Sequence, residues 1–199
     1  IINYIISILV DTVEIWLGYC EHKFNSLWEI VKKDTEKQFE VFNSFAQQTN
    51  NFCWTLDKPE STMSLGSTLT KKFPDLRILL LYGPLGAGKT TLVKGIAKSL
   101  SIKDPITSPT FPLSQHYPSG CPPLVHLDLY RIEETSSANA FFLQEEEESK
   151  AMGALMVVEW PERLSLSMPD VWRGKLEYSS DHKARFFQLI PPLGTDSSL

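Results

Sequence analysis

Two stretches of this chain are apolar almost without interruption and too short to be helices. Arg77-Ile78-Leu79-Leu80-Leu81-Tyr82 and Ala154-Leu155-Met156-Val157-Val158 read as strands buried on both faces. A third stretch, Leu124 to Arg131, alternates apolar Val125, Leu127 and Leu129 with polar His126, Asp128 and Tyr130. That period predicts a strand with His126 and Asp128 on one face. Helical spacing governs Thr91 to Leu100, with apolar residues at 92, 93, 96, 97 and 100. It also governs a helix carrying Met63, Leu65, Leu69 and Phe73 that ends before Pro74, with Pro59 in its first turn and Ser61 or Asp57 as its cap. Trp54-Thr55-Leu56 predicts a first strand. Lys175 to Tyr178 and Ala184 to Ile190 predict a closing hairpin around Ser179 to Lys183. Ile102 to Pro123 is rich in Pro and reads as loop. Glu133 to Met152 reads as an acidic helix, and its run Glu145 to Glu148 as a solvated face.

Ahead of these elements, Ile5, Leu9, Val13, Trp16, Cys20, Phe24, Leu27 and Val31 recur in steps of three and four. Residues 1–50 are therefore expected to form one amphipathic helical extension, and its apolar stripe must bury against something. Its polar face is mixed in sign rather than basic, so a membrane partner is not expected. Ile1 to Val10 is interrupted soon after by Asp11 and Glu14, whereas a spanning helix needs about twenty apolar residues. The polar segment Gln47 to Asn51 marks a boundary. Beyond it we expect one domain over 54–192, followed by a disordered tail over 193–199.

Strands alternating with helices imply an α/β fold, a three-layer sandwich around a mostly parallel sheet. The strand over 77–82 runs into Gly83-Pro84-Leu85-Gly86-Ala87-Gly88-Lys89-Thr90, which fits the phosphate-binding P-loop, and the helix from Thr91 leaves it. The glycines let successive backbone N–H groups turn toward phosphate oxygens, and the helix adds its own unpaired N–H groups. Lys89 is placed to reach the β- and γ-phosphates, and the Thr90 hydroxyl to ligate Mg²⁺. In open α/β sheets ligands sit at the carboxyl ends of the strands. That rule gathers the P-loop, Asp128 and Glu159. Glu159 follows the most hydrophobic strand and fits the metal-holding acid; Asp128 either shares the metal or orients the attacking water or an acceptor. The hydroxyl-dense Thr107-Ser108-Pro109-Thr110-Phe111 is a solvated loop, or a switch closing a hydroxyl on the metal or the γ-phosphate.

The chain has 199 residues, 42% hydrophobic and 22% charged, with a net charge of -5. No Lys/Arg cluster exceeds a pair, which argues against a direct grip on a nucleic-acid backbone. Cys20, Cys53 and Cys121 form no ligand spacing, so a reducing cytoplasm is the expected compartment. No Asn/Thr-Lys-x-Asp segment is present to read guanine, which favours ATP. Arg77, Arg131, Arg163, Arg173 and Arg185 form no lid-like cluster, which disfavours a small-molecule kinase. What remains is a compact ATPase acting on a partner, or a binding module that ATP switches.

The P-loop, Thr107-Ser108-Pro109-Thr110-Phe111, His126-Leu127-Asp128-Leu129-Tyr130-Arg131 and Val158-Glu159-Trp160-Pro161-Glu162-Arg163-Leu164 together resemble the TsaE (YjeE) family over residues 56 to 192. The resemblance implies a weak Mg²⁺-dependent ATPase needed for threonylcarbamoyl modification of adenosine in tRNA. It implies nucleotide contacts from Thr62, Gly86, Ala87, Gly88, Lys89, Thr90, Thr91 and Trp160, with Mg²⁺ on Thr90 and Glu159. Thr110 would be the switch threonine, and Asp128 a base or water-orienting acid. The implied partners are TsaD and TsaB, which carry the transfer reaction and would hold the tRNA. Two features depart from the family. Residues 1–50 have no counterpart in it, and Ser136 to Glu148 match its pattern poorly.

Overall fold

The apolar runs form the middle of a seven-stranded sheet. The computed structural model describes residues 52–180 and 182–193. The helix expected over 1–50 and the tail from 194 lie outside the described residues. In chain order the elements are β1 (Phe52–Leu56), α1 (Pro59–Lys72), β2 (Ile78–Tyr82), α2 (Lys89–Ser99), β3 (Ser114–Tyr117), β4 (Leu124–Asp128), α3 (Thr135–Met152), β5 (Leu155–Glu159), a 3₁₀ turn (Pro161–Arg163), β6 (Trp172–Tyr178) and β7 (Arg185–Ile190). The strand order is β1-β7-β6-β2-β5-β4-β3. β6, β2, β5 and β4 run parallel, while β7 with β1 on one side and β3 on the other join antiparallel.

Both faces of the parallel strands are covered, which explains why their sequences are continuous apolar runs rather than alternating ones. Leu79, Leu81, Leu155 and Val157 face one core with Leu65 and Leu69 of α1 and Leu92 and Ile96 of α2. Leu80, Met156, Val158, Val125 and Leu127 face the other, with Phe142 of α3. Each such side chain contributes about 1.5–3 kcal/mol by leaving water. The result is three layers, as expected from the alternation of elements.

The structure differs from expectation at three places. First, the loop over 102–123 contains β3, whose sequence Ser-Gln-His-Tyr has no apolar alternation; it is an edge strand bonded only to β4. Second, α1 begins after Lys58 with no side-chain cap, because Ser61 Oγ donates to Asp57 Oδ1 at 2.6 Å instead. Third, the acidic run is not all solvated. Glu145 is buried on the α3 face that also carries Ala138, Phe142 and Ser149. Its Oε2 accepts from Ser114 Oγ at 2.7 Å and lies 2.6 Å from His116 Nε2, which ties α3 to the edge strand. Glu147 and Glu148 are exposed as expected. Among the described residues no helix is long and apolar enough to cross a membrane.

Candidate functional site

β5 lies between β2 and β4 in the sheet. The carboxyl end of β5 therefore separates the loop after β2 from the end of β4. The register puts Asp128 directly beside Glu159 and Leu81 on Glu159's other side. A strand order that no short motif reveals thus centres Glu159 between the P-loop and Asp128.

The P-loop connects β2 to α2. Gly88 stands at the helix N-cap in the left-handed region, at φ 106°, where an L side chain would be strained. α2 has no side-chain cap and no acid in its first turn. Its leading N–H groups and positive dipole end are thereby left for an anion. From the far side Tyr178 of β6 donates its hydroxyl to Leu85 O at 3.0 Å, bracing the loop.

Lys89 is 4% exposed. Its Nζ donates to Gly83 O at 2.6 Å and Pro84 O at 3.0 Å and lies 4.1 Å from the centre of the Trp160 ring. Burial holds the ammonium below the ordinary lysine value, against the upward pull of the Glu159, Glu162 and Asp128 carboxylates. Trp160 has φ 61°, in the left-handed region, at the start of the 3₁₀ turn. A following proline disfavours the ordinary helical region at this residue, and a bulky side chain at positive φ costs about 1–3 kcal/mol. The strain lies beside the P-loop lysine, and the Trp160 ring also meets Tyr130 at 4.8 Å between centroids.

Two hydrogen-bonded clusters complete the site. Thr90 Oγ1 donates to Glu159 Oε1 at 2.8 Å, and His126 Nε2 meets the same oxygen at 2.9 Å. In the other cluster Asp128 Oδ2 accepts from Ser108 Oγ at 2.6 Å and Thr110 Oγ1 at 3.0 Å. Asp128 Oδ1 accepts from Tyr130 N at 3.0 Å. The Asp128 carboxylate therefore anchors the 107–111 loop to the sheet.

Apart from His126 and Tyr178, which stand behind it, these groups line one open cleft of about 400 Å³. Gly86, Gly88, Lys89, Thr90, Thr91, Thr110, Asp128, Glu159 and Trp160 all form its wall. Ala87 and Thr62 do not; both are buried, with Thr62 behind Gly88. Ser108, His126, Tyr130 and Tyr178 join the site beyond the residues expected to form it. Ser108 sits in the hydroxyl-dense segment and His126 shares a face with Asp128, so those two left a trace in the sequence. Tyr178 left none, because only the sheet order brings β6 under the loop. The cleft offers hard oxygen donors from Thr90 and Glu159 opposite backbone N–H groups and one cation. That donor set suits Mg²⁺ and a polyphosphate.

Known proteins share this sequence and fold. Residues 56–186 match the family model described as threonylcarbamoyl adenosine biosynthesis protein TsaE. The tRNA threonylcarbamoyladenosine biosynthesis protein TsaE of Nostoc sp. is 41% identical over 134 residues, covering 66% of this chain and 81% of that protein. Its namesake from Mycobacterium bovis is 42% identical over 118 residues, covering 56% of this chain and 69% of that protein. Among solved structures, Bacillus subtilis YdiB superposes with a TM-score of 0.55 at 28% identity, over 71% of this chain and 86% of that one. The sheet with its P-loop and helices is thus a P-loop NTPase-like fold, and the chain belongs to the TsaE family of tRNA threonylcarbamoyladenosine biosynthesis.

Proposed function

We propose that this chain is a Mg²⁺-dependent ATPase that acts in the cytoplasm as an accessory to the TsaD–TsaB complex, which would hold the tRNA. The observation that carries the reading is the convergence of Lys89, Thr90, Glu159 and Asp128 on one cleft at the N-terminus of α2. Lys89 and the α2 N–H groups would bind the β- and γ-phosphates. Thr90 and Glu159 would hold Mg²⁺, which when bound neutralises phosphate charge. Water would attack the γ-phosphorus as its bond to the bridging oxygen breaks, releasing ADP and phosphate. Asp128 would orient that water or accept its proton. Thr110 would close with the loop that Asp128 anchors. The net charge of -5 and the lack of a basic cluster support leaving the tRNA to the partners.

The test is ATP turnover by the full chain, alone and with TsaD–TsaB, with and without Mg²⁺. Turnover that ignores Mg²⁺, or no turnover in either setting, overturns the reading. Asp128→Asn keeps one oxygen for the 107–111 loop but cannot take a proton. It is expected to slow turnover about 10²-fold or more while changing nucleotide affinity only a few-fold. Equal losses in both would remove Asp128 from the chemical step. A second reading, in which ATP binding alone switches the partner, has support in the Asp128–Ser108–Thr110 cluster. It predicts that a non-hydrolysable analogue sustains repeated rounds of modification.

A further inference from the structure

Within the nucleotide-site reading above, one buried side chain has no part yet. His126 is 0% exposed and lies on β4 between Gln115 of β3 and Val157 of β5. It does not line the cleft. We propose that His126 is a positioning residue that fixes the Glu159 carboxylate for Mg²⁺.

The geometry supports this in three steps. Glu159 Oε1 accepts from Thr90 Oγ1 at 2.8 Å and lies 2.9 Å from His126 Nε2. An ionised carboxylate only accepts, so Nε2 carries the proton and donates. His126 Nδ1 is buried and has no partner among the described residues. A bare lone pair is tolerated there better than an orphaned N–H, which again puts the proton on Nε2. Both hydrogen bonds thus fall on one carboxylate oxygen. No described residue bonds Oε2, and Glu159 lines the cleft.

The chemistry gives the arrangement a purpose. Mg²⁺ demands near-ideal octahedral geometry, so a ligating carboxylate must be held at a fixed tilt. Partners behind a ligand supply that hold. Leu79, Leu81 and Val157 form the core on this face of the sheet, where an aliphatic side chain at 126 would pack without an unpaired nitrogen. The imidazole makes a single side-chain bond, and that bond goes to Glu159.

The test uses the full chain saturated with a non-hydrolysable ATP analogue and titrated with Mg²⁺ by calorimetry. His126→Leu is expected to raise the Mg²⁺ concentration for half-saturation about 10–100-fold. Analogue affinity in excess chelator should stay as in the wild type. His126→Gln, which can present a donor where Nε2 lies, is expected to recover most of the loss. A Leu variant with wild-type Mg²⁺ affinity, or Leu and Gln variants equally impaired, overturns the proposal. If the Leu variant does not fold, ¹⁵N shifts of the wild-type ring decide: Nε2 protonated with Nδ1 bare supports it, and the opposite tautomer sinks it. A wild-type chain that binds no analogue overturns the nucleotide reading and this proposal together. Wild-type binding beside an unaltered Leu variant overturns this proposal alone.

Discussion

Lys89→Ala is expected to lower ATP turnover by about 10²–10³-fold, the effect of removing one charged donor from a preorganised anion site. The Lys89 ammonium rests on the Gly83 and Pro84 carbonyls, against the Trp160 ring. It is therefore buried and already aimed into the bend of the loop that would receive the phosphates. Its burial limits screening by water, so the charge acts on a bound anion more strongly than a surface lysine would. The same burial lowers its own affinity for a proton, and the nearby carboxylates of Glu159, Glu162 and Asp128 counter this. The alanine variant loses two hydrogen bonds to its own loop, so its melting curve serves as the control for folding. A variant with native melting and native turnover would remove Lys89, and the ATPase reading with it. Modification of tRNA should fall in parallel if turnover drives the partners.

Gly95→Ala is expected to destabilise the domain by about 3 kcal/mol, near the upper end of overpacking costs. For a domain of this size that is a drop of about 10 °C in Tm. Helix propensity alone forecasts the opposite sign, since alanine gains about 1 kcal/mol over glycine inside a helix. The reason for the reversal is the approach of α1 to α2. A Cβ on Gly95 would lie 2.0 Å from Met63 O and 2.7 Å from Met63 C. The contact is reciprocal, because a Cβ on Gly66 would lie 2.2 Å from Leu92 O and 2.9 Å from Ile96 N. These are backbone atoms, which cannot rotate away as a side-chain end would. Ser67 Oγ also donates to Gly95 O at 2.8 Å, and Thr70 Oγ1 and Ser99 Oγ lie 2.6 Å apart, so the helices are bonded as well as packed. Spreading them would move α2, whose first residues are Lys89 and Thr90. Nucleotide affinity should therefore fall together with Tm in chemical or thermal denaturation. A Gly95→Ala variant as stable as the wild type would mean that the two helices do not meet this closely.

Much of the candidate site is legible in the sequence. The P-loop spacing, the apolar run ending at Glu159 and the alternation ending at Asp128 each pair a local pattern with a strand end. A local pattern can carry that much because side-chain period and strand length are set by neighbouring residues. β3 was not legible, since an edge strand needs no apolar face and Ser114-Gln115-His116-Tyr117 shows none. Glu145 departs from the solvated face expected of its run for a related reason. Its burial depends on Ser114 and His116, which reach it across the gap between strand and helix. α1 lacks the expected cap because Asp57 and Ser61 bond to each other, a choice that sequence leaves open.

The sequence by itself determined the element types, the α/β class and the chemistry of the phosphate-binding loop, because these follow from period, propensity and short-range spacing. Only the tertiary structure decided what those elements do to one another. Strand order placed β5 between β2 and β4 and so put Glu159 within reach of both Thr90 and His126. Helix packing turned Gly66 and Gly95 from weak helix formers into required ones. The Ser108 and Thr110 hydroxyls became donors to Asp128. All three depend on contacts between residues far apart in the chain, whose energy comes from burial and pairing in three dimensions rather than from any local preference.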